Sequence, residues 1–139
     1  MNREEIKHIL PHRNDMLLLD EVYRENESAH GIYHVRGDEF FLNGHFPDDP
    51  LVPGVILCEI LAQSACVLLA DAIDDTKIPM YTGLDRVKFR SPVKPGDTFE
   101  TKCVIKRAKP PFYFAEGRGF VDGKLCISAE FSFAVVNKT

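Results

Sequence analysis

The sequence has no apolar run of the ~20 residues that a membrane-spanning helix needs. Its start, Met1-Asn2-Arg3-Glu4-Glu5, lacks the basic-then-apolar pattern of a signal peptide. A cytoplasmic, unprocessed chain with no membrane contact is expected on both grounds. Internal repeats, low-complexity tracts and linkers are absent too. With 139 residues, positions 1–139 are expected to form a single domain. There is no excess of positive charge: the net charge is −4 and the pI about 5.7, which excludes a general nucleic-acid binder. The four cysteines, Cys58, Cys66, Cys103 and Cys126, form no C-x-x-C pair and no cluster with histidine at metal-ligand spacing. No metal site is expected. Each cysteine sits in an apolar run and reads as a small buried hydrophobe in a reducing compartment.

What is present is an ordinary globular composition, 45% hydrophobic and 27% charged, with enough apolar surface for a core. Glu4 to Leu10 suggests a short helix ended by Pro11. Met16 to Glu25 and Ser28 to Val35 suggest paired strands. The stretch Phe40 to Gly54, FFLNGHFPDDPLVPG, carries Pro47, Pro50 and Pro53 and predicts a stiff, irregular loop. Val55 to Ile73 has no Gly or Pro and no alternation, and predicts a helix. Four more strands follow, at Ile78 to Phe89, Thr98 to Ala108, Phe112 to Val121 and Lys124 to Val136. Asp122-Gly123 is a two-residue hairpin signal between the last two. An antiparallel sheet must cover its apolar face, and a helix apolar on every side must be wrapped. One α+β arrangement satisfies both: a curved antiparallel sheet around one long central helix.

Two features stand out as chemistry. Glu59 is the single carboxylate between Val55 and Ala70, and helical spacing puts Glu59, Gln63 and Cys66 on one face. Burying a carboxyl is costly unless it is paired or lines a wet cavity. His45, in Gly44-His45-Phe46-Pro47, is held in the proline-stiffened loop, and imidazole titrates where protons move at neutral pH. His45 and Glu59 together suggest an acid–base pair, with Gln63 in support. The helix entry at Gly54 offers a backbone N–H without an intrahelical partner, able to polarise a carbonyl oxygen. His8, His30 and His34 read as surface or packing residues, and His12 as a structural hydrogen-bonding residue. From Arg86 to Lys109 eight basic residues face only Asp97 and Glu100. Arg86, Lys88, Arg90, Lys94, Lys106, Arg107 and Lys109 are the residues expected to dock an acidic partner.

Read in order, Leu10-Pro11-His12-Arg13, Gly44-His45-Phe46-Pro47, Pro53-Gly54-Val55 and Glu59 with Leu61-Ala62-Gln63 resemble the 3-hydroxyacyl-acyl-carrier-protein dehydratases of type II fatty acid synthesis. Asp85-Arg86-Val87-Lys88-Phe89-Arg90, Pro92-Val93-Lys94-Pro95-Gly96-Asp97 and Val121-Asp122-Gly123-Lys124-Leu125 continue the match over nearly the whole chain. The resemblance implies the hot-dog fold. It implies a homodimer joined edge to edge into one sheet, often a trimer of dimers, with His45 of one subunit meeting Glu59 of the other. It also implies the reaction. The Gly54 N–H binds the thioester carbonyl, His45 removes the C2 proton, and Glu59 helps the C3 hydroxyl leave as water. The implied substrate is a 3-hydroxyacyl-phosphopantetheine on acyl carrier protein, the product is its trans-2-enoyl thioester, and no cofactor is required. Asn14-Asp15 and Lys109-Pro110-Pro111-Phe112 depart from the family pattern, at a packing position and at a hairpin turn. A hot-dog acyl thioesterase and a non-catalytic acyl-thioester-binding protein are the alternatives on the same fold.

Overall fold

Helix α1 (Arg3–Ile6) starts on a capping box, in which the Asn2 side chain accepts the Glu5 N–H and the Glu5 carboxylate accepts the Asn2 N–H. The computed structural model describes residues 1–44 and 48–138. Strands β1 (Glu21–Glu25) and β2 (Ser28–His34) form the first hairpin. The long helix α2 (Gly54–Cys66) follows, and then β3 (Lys77–Phe89), β4 (Thr98–Lys109), β5 (Phe112–Val121) and β6 (Lys124–Asn137). All pairings are antiparallel, in the order β1-β2-β4-β5-β6-β3. The expected α+β hot-dog architecture is therefore observed.

The sheet curls around α2 because one residue in two along its central strands is apolar and turned inward. Phe99 and Cys103 on β4, Ala115 on β5, and Ile127 and Phe131 on β6 are buried together with Ile60, Leu61 and Ala65 of the helix. Each such Leu or Phe contributes about 1.5–3 kcal/mol by leaving water. Close approach has a sequence cause at Gly117 of β5. A Cβ there would lie 2.9 Å from Cys103 Sγ and 3.3 Å from Leu61 Cδ2, so a larger residue would push the helix off the sheet. The Asp122-Gly123 signal forms the β5–β6 turn, with positive φ at both residues (50° and 78°), as a type I′ hairpin requires.

Three expectations need correction. Met16 ends a 3-10 turn (Asn14–Met16), and β1 starts only at Glu21. The reason is that Leu17, Leu18 and Leu19 are all buried, and three consecutive buried side chains cannot belong to a one-face-in, one-face-out strand. The helix starts at Gly54, and its α-helical part stops at Cys66. Val67–Leu69 tightens to 3-10 before the polar Asp71 and Asp74 leave the core. Finally, α2 is not wrapped along its full length. Nine of its thirteen residues are buried, but Val55, in its first turn, is 72% exposed.

Candidate active site

Glu59 projects from the second turn of α2 toward β3 and is 23% exposed. It lines two cavities. One, of about 280 Å³, is bounded by Val55, Cys58, Tyr81, Thr82 and Leu84; the other, of about 230 Å³, by His12, Gln63, Cys66, Tyr81 and Phe133. Burial pushes its carboxyl up to about 6, while the Gln63 amide pulls it back. A carboxyl in that range holds or releases a proton near neutrality, as a general acid must. Tyr81 forms the cavity wall shared by both spaces. Its hydroxyl donates to the Cys58 carbonyl at 2.8 Å, and burial, then the Glu59 charge, raises its phenol further, so it stays protonated. A larger cleft of about 540 Å³, between Leu84, Arg107, Phe114 and Phe131, touches neither Glu59 nor Gly54.

Gln63 also holds the chain before β1. Its Oε1 accepts the Leu18 N–H at 2.9 Å, and its Nε2 donates to the Met16 carbonyl at 2.8 Å. It thereby fastens that segment to the helix one turn from Glu59. Beside it lies His12, whose Nε2 is 3.9 Å from Glu59 Oε1. The structural hydrogen-bonding role expected for His12 needs correction, because among the described residues its buried Nδ1 finds no hydrogen-bond partner. An unsatisfied buried polar atom costs about 1–3 kcal/mol. Burial, then the neighbouring Arg13 charge, lowers the His12 pKa and keeps the ring neutral.

Gly54 opens α2 after Pro53, so its N–H lies outside the intrahelical ladder. Its bare Cα faces the Phe89 ring; a Cβ there would lie 2.6 Å from Cε1. That leaves a backbone donor at the foot of the Val55–Glu59 face. His45, the other member of the expected acid–base pair, lies outside the described residues. Among the described residues no group of His, Cys, Asp and Glu could hold a metal ion, and no helix is long and apolar enough to cross a membrane. All four cysteines are free and buried; burial raises Cys66 and Cys103 most, so they pack as thiols.

The basic residues do not all line one cleft. Arg86, Lys88 and Arg90 line a cleft together with Arg118 of β5, which the Arg86 to Lys109 stretch did not include. Arg86 pairs with Glu130 at 3.4 Å. Lys94 pairs with Asp49 at the opposite side of the Pro92–Gly96 turn. Lys106 pairs with Glu116, and Arg107 stacks over Phe114, with Lys109 beyond them at the β4–β5 turn. Lys88 and Arg90 flank Phe89, whose ring packs against Gly54. Arg118 is the residue of this cleft that sequence reading passed over. Only strand pairing brings Arg118 to Lys88, through Ser128.

The model of the FabA-like domain matches residues 10–130. The chain belongs to this family. It is 41% identical over 135 residues to the 3-hydroxyacyl-[acyl-carrier-protein] dehydratase FabZ of Oleidesulfovibrio alaskensis, covering 94% of this chain and 88% of that one. It is 40% identical to FabZ of Clostridium perfringens, covering 97% and 99%. Among solved structures, the dehydratase heterocomplex ApeI:P of Xenorhabdus doucetiae superposes with a TM-score of 0.82 over 96% of this chain and 91% of that one, at 21% identity. A thioesterase-like protein of Ralstonia eutropha superposes at 0.65, over 82% and 83%, at 19% identity. At such identities the structures establish the hot-dog fold alone. The resemblance to the dehydratase family is borne out by the relatives at about 40%.

Proposed function

We propose that this protein is a hydro-lyase that converts 3-hydroxyacyl-acyl carrier protein to trans-2-enoyl-acyl carrier protein in fatty acid biosynthesis, with Glu59 and His45 as its acid–base pair. The carrying observation is Glu59 itself: a largely buried carboxyl, pushed up to about 6, at the wall of a cavity in which it is the one charged group among the described lining residues. The thioester carbonyl rests against the Gly54 N–H, where the helix end favours the negative charge that builds on oxygen. That polarisation acidifies the C2–H. His45 takes the C2 proton, the C–H electron pair becomes the C2–C3 double bond, and the C3–O bond breaks. Glu59 gives its proton to the departing hydroxide, which leaves as water. The proton gained by His45 returns the pair to its starting state through solvent.

His45 and Glu59 are assigned to different subunits of a homodimer formed by pairing the β3 edges. The exposed apolar side chains at that edge support this reading, as does the open first turn of α2 beside it. Assembly into a trimer of dimers and a cytoplasmic location belong to the same proposal. The carrier protein is acidic on this reading. It docks on Arg86, Lys88, Arg90 and Arg118, the group adjoining the Phe89–Gly54 contact; Lys106 meets the same cleft through its pairing with Glu116, and Lys94, Arg107 and Lys109 do not line it. The deciding experiment is incubation with a 3-hydroxybutyryl thioester. Enoyl thioester absorbance must rise without free thiol. Thiol release without enoyl product would make the protein a thioesterase, and no reaction of either kind would make it a binding protein.

A further inference from the structure

The loop Pro11-His12-Arg13 is held unusually firmly for a segment without regular structure. Arg13 Nη1 donates to the carbonyls of Leu10 and His12, each at 2.7 Å, and its Nη2 donates to the Lys7 carbonyl at 3.1 Å. On the other side of the loop, Gln63 binds the backbone of Met16 and Leu18. The imidazole of His12 is thereby fixed between α2 and β3, on the wall of the 230 Å³ cavity that also contains Glu59. The fixing is through the backbone alone. Among the described residues the ring has a buried Nδ1 with no partner, and its Nε2 lies 3.9 Å from Glu59 Oε1.

A buried ring nitrogen without a partner is tolerated more readily as a bare lone pair than as an orphaned N–H. The neutral ring therefore carries its proton on Nε2, the nitrogen that faces Glu59. From 3.9 Å, a small rotation of the Glu59 side chain brings Oε1 within hydrogen-bond range. Once Nε2–H occupies Oε1, the other oxygen, Oε2, is the one left to face substrate.

We propose that His12 is a positioning residue for the proposed proton donor: its Nε2–H holds Glu59 Oε1 and turns Oε2 toward the leaving hydroxyl. This rests on the assignment of Glu59 as general acid. His12 makes no contact with the reacting atoms and transfers no proton. Burial and Arg13 keep it uncharged, so it donates to Glu59 without stabilising the carboxylate as a cation would. The other groups facing it are Gln63 and Cys66 from α2 and Tyr81 from β3, none of which carries charge at neutral pH.

The side chains of Gln and Asn separate this role from simple packing. The amide nitrogen of Gln falls near the place of imidazole Nε2; that of Asn falls near Nδ1. The test measures steady-state turnover and its pH dependence for H12Q, H12N and E59Q in the full-length protein, alongside thermal melts. H12N should lower kcat about 10–100-fold with KM changed by less than about threefold, since only orientation is lost. H12Q should stay within about threefold of the parent. The pH limb that E59Q abolishes should move upward in H12N, where a donor that favours the carboxylate is lost, and stay in place in H12Q. H12N at parental turnover, with E59Q inactive, overturns the role of His12 and leaves Glu59 standing. Loss of kcat in H12N and H12Q alike, in step with lost folded protein in the melts, also overturns it. Parental turnover in E59Q would instead remove Glu59 from its assignment, and His12 with it.

Discussion

The two edges of the sheet are built in opposite ways. At the β1 edge five residues, Glu21-Val22-Tyr23-Arg24-Glu25, present three charges, and the chain's own start pairs with Glu21 and Val22. The Met1 amino group donates to the Val22 carbonyl at 2.7 Å, and the Val22 N–H donates to the Met1 carbonyl at 3.0 Å. At the β3 edge thirteen residues run unpaired on their outer side among the described residues. Met80, Tyr81, Leu84 and Phe89 there are 50, 39, 47 and 57% exposed. A long apolar edge left open invites pairing with another chain, and proteins ordinarily blunt such edges. β1 is blunted by its length, its charge and the N-terminus. β3 is not, and Glu59 lies directly behind it. One edge is closed within the subunit; the other supplies the surface on which the proposed dimer and its active site depend.

The sharpest way to break the contrast is to remove chemistry while leaving the β3 edge intact. Glu59→Ala is expected to lower turnover about 10²–10⁴-fold, the usual worth of a general acid, with an unchanged sedimentation coefficient. Charging the edge comes next. The pair Met80→Lys and Leu84→Lys places like charges opposite each other across the proposed two-fold axis. It should weaken the dimer by at least about 2 kcal/mol, about 30-fold in Kd, and turnover should fall with the dimer fraction across a dilution series. The matching change on the closed edge, Glu21→Lys, should alter stability by no more than about 0.5 kcal/mol and leave assembly untouched.

A third test uses the raised carboxyl. The folded-state pKa of Glu59, about 6, lies above the ordinary 4.5, so the folded state holds that proton more tightly than the unfolded chain. The associated stability is fully present below pH 4.5 and is lost as pH rises through 6; the difference is worth about 2 kcal/mol. Glu59→Gln, which cannot ionise, should therefore be more stable than the parent by up to about 2 kcal/mol at pH 8 and indistinguishable from it near pH 4, in denaturant melts. The smallest effect concerns docking. Lys88→Glu with Arg90→Glu should raise KM several-fold for the carrier-linked substrate, leave a carrier-free thioester unaffected, and show less sensitivity to added salt than the parent.

Much of this was legible in the chain. Strand periods, the Asp122-Gly123 turn and the unbroken helix after Pro53 each obey local rules, and together they define the hot-dog layout. Glu59 announced itself as a carboxylate in an apolar helix. The run Leu17-Leu18-Leu19 misled because burial on all sides looks like a strand end in one dimension; the Leu18 N–H donates to Gln63, 45 residues away, and the Leu17 and Leu19 carbonyls accept from Arg3. Arg118 was invisible because only the β5–β6–β3 register carries it to Lys88. His12 was read as a structural hydrogen-bonding residue because nothing local distinguishes a histidine with a missing partner from one that is satisfied. That difference exists only once α2 and the Leu10-Pro11-His12 loop are packed together.

The reading as a whole turns on whether His45 and Glu59 act across the β3 pairing, and mixed subunits measure this directly. His45→Ala and Glu59→Ala proteins, each inactive alone, are mixed in equal amounts and allowed to exchange subunits, with exchange verified by mass. If one site draws its two residues from two subunits, half the dimers are mixed and each holds one intact site of two, so activity should recover to about a quarter of the parental level. Complete exchange with no recovery would place both residues of each site in the same subunit and contradict the account.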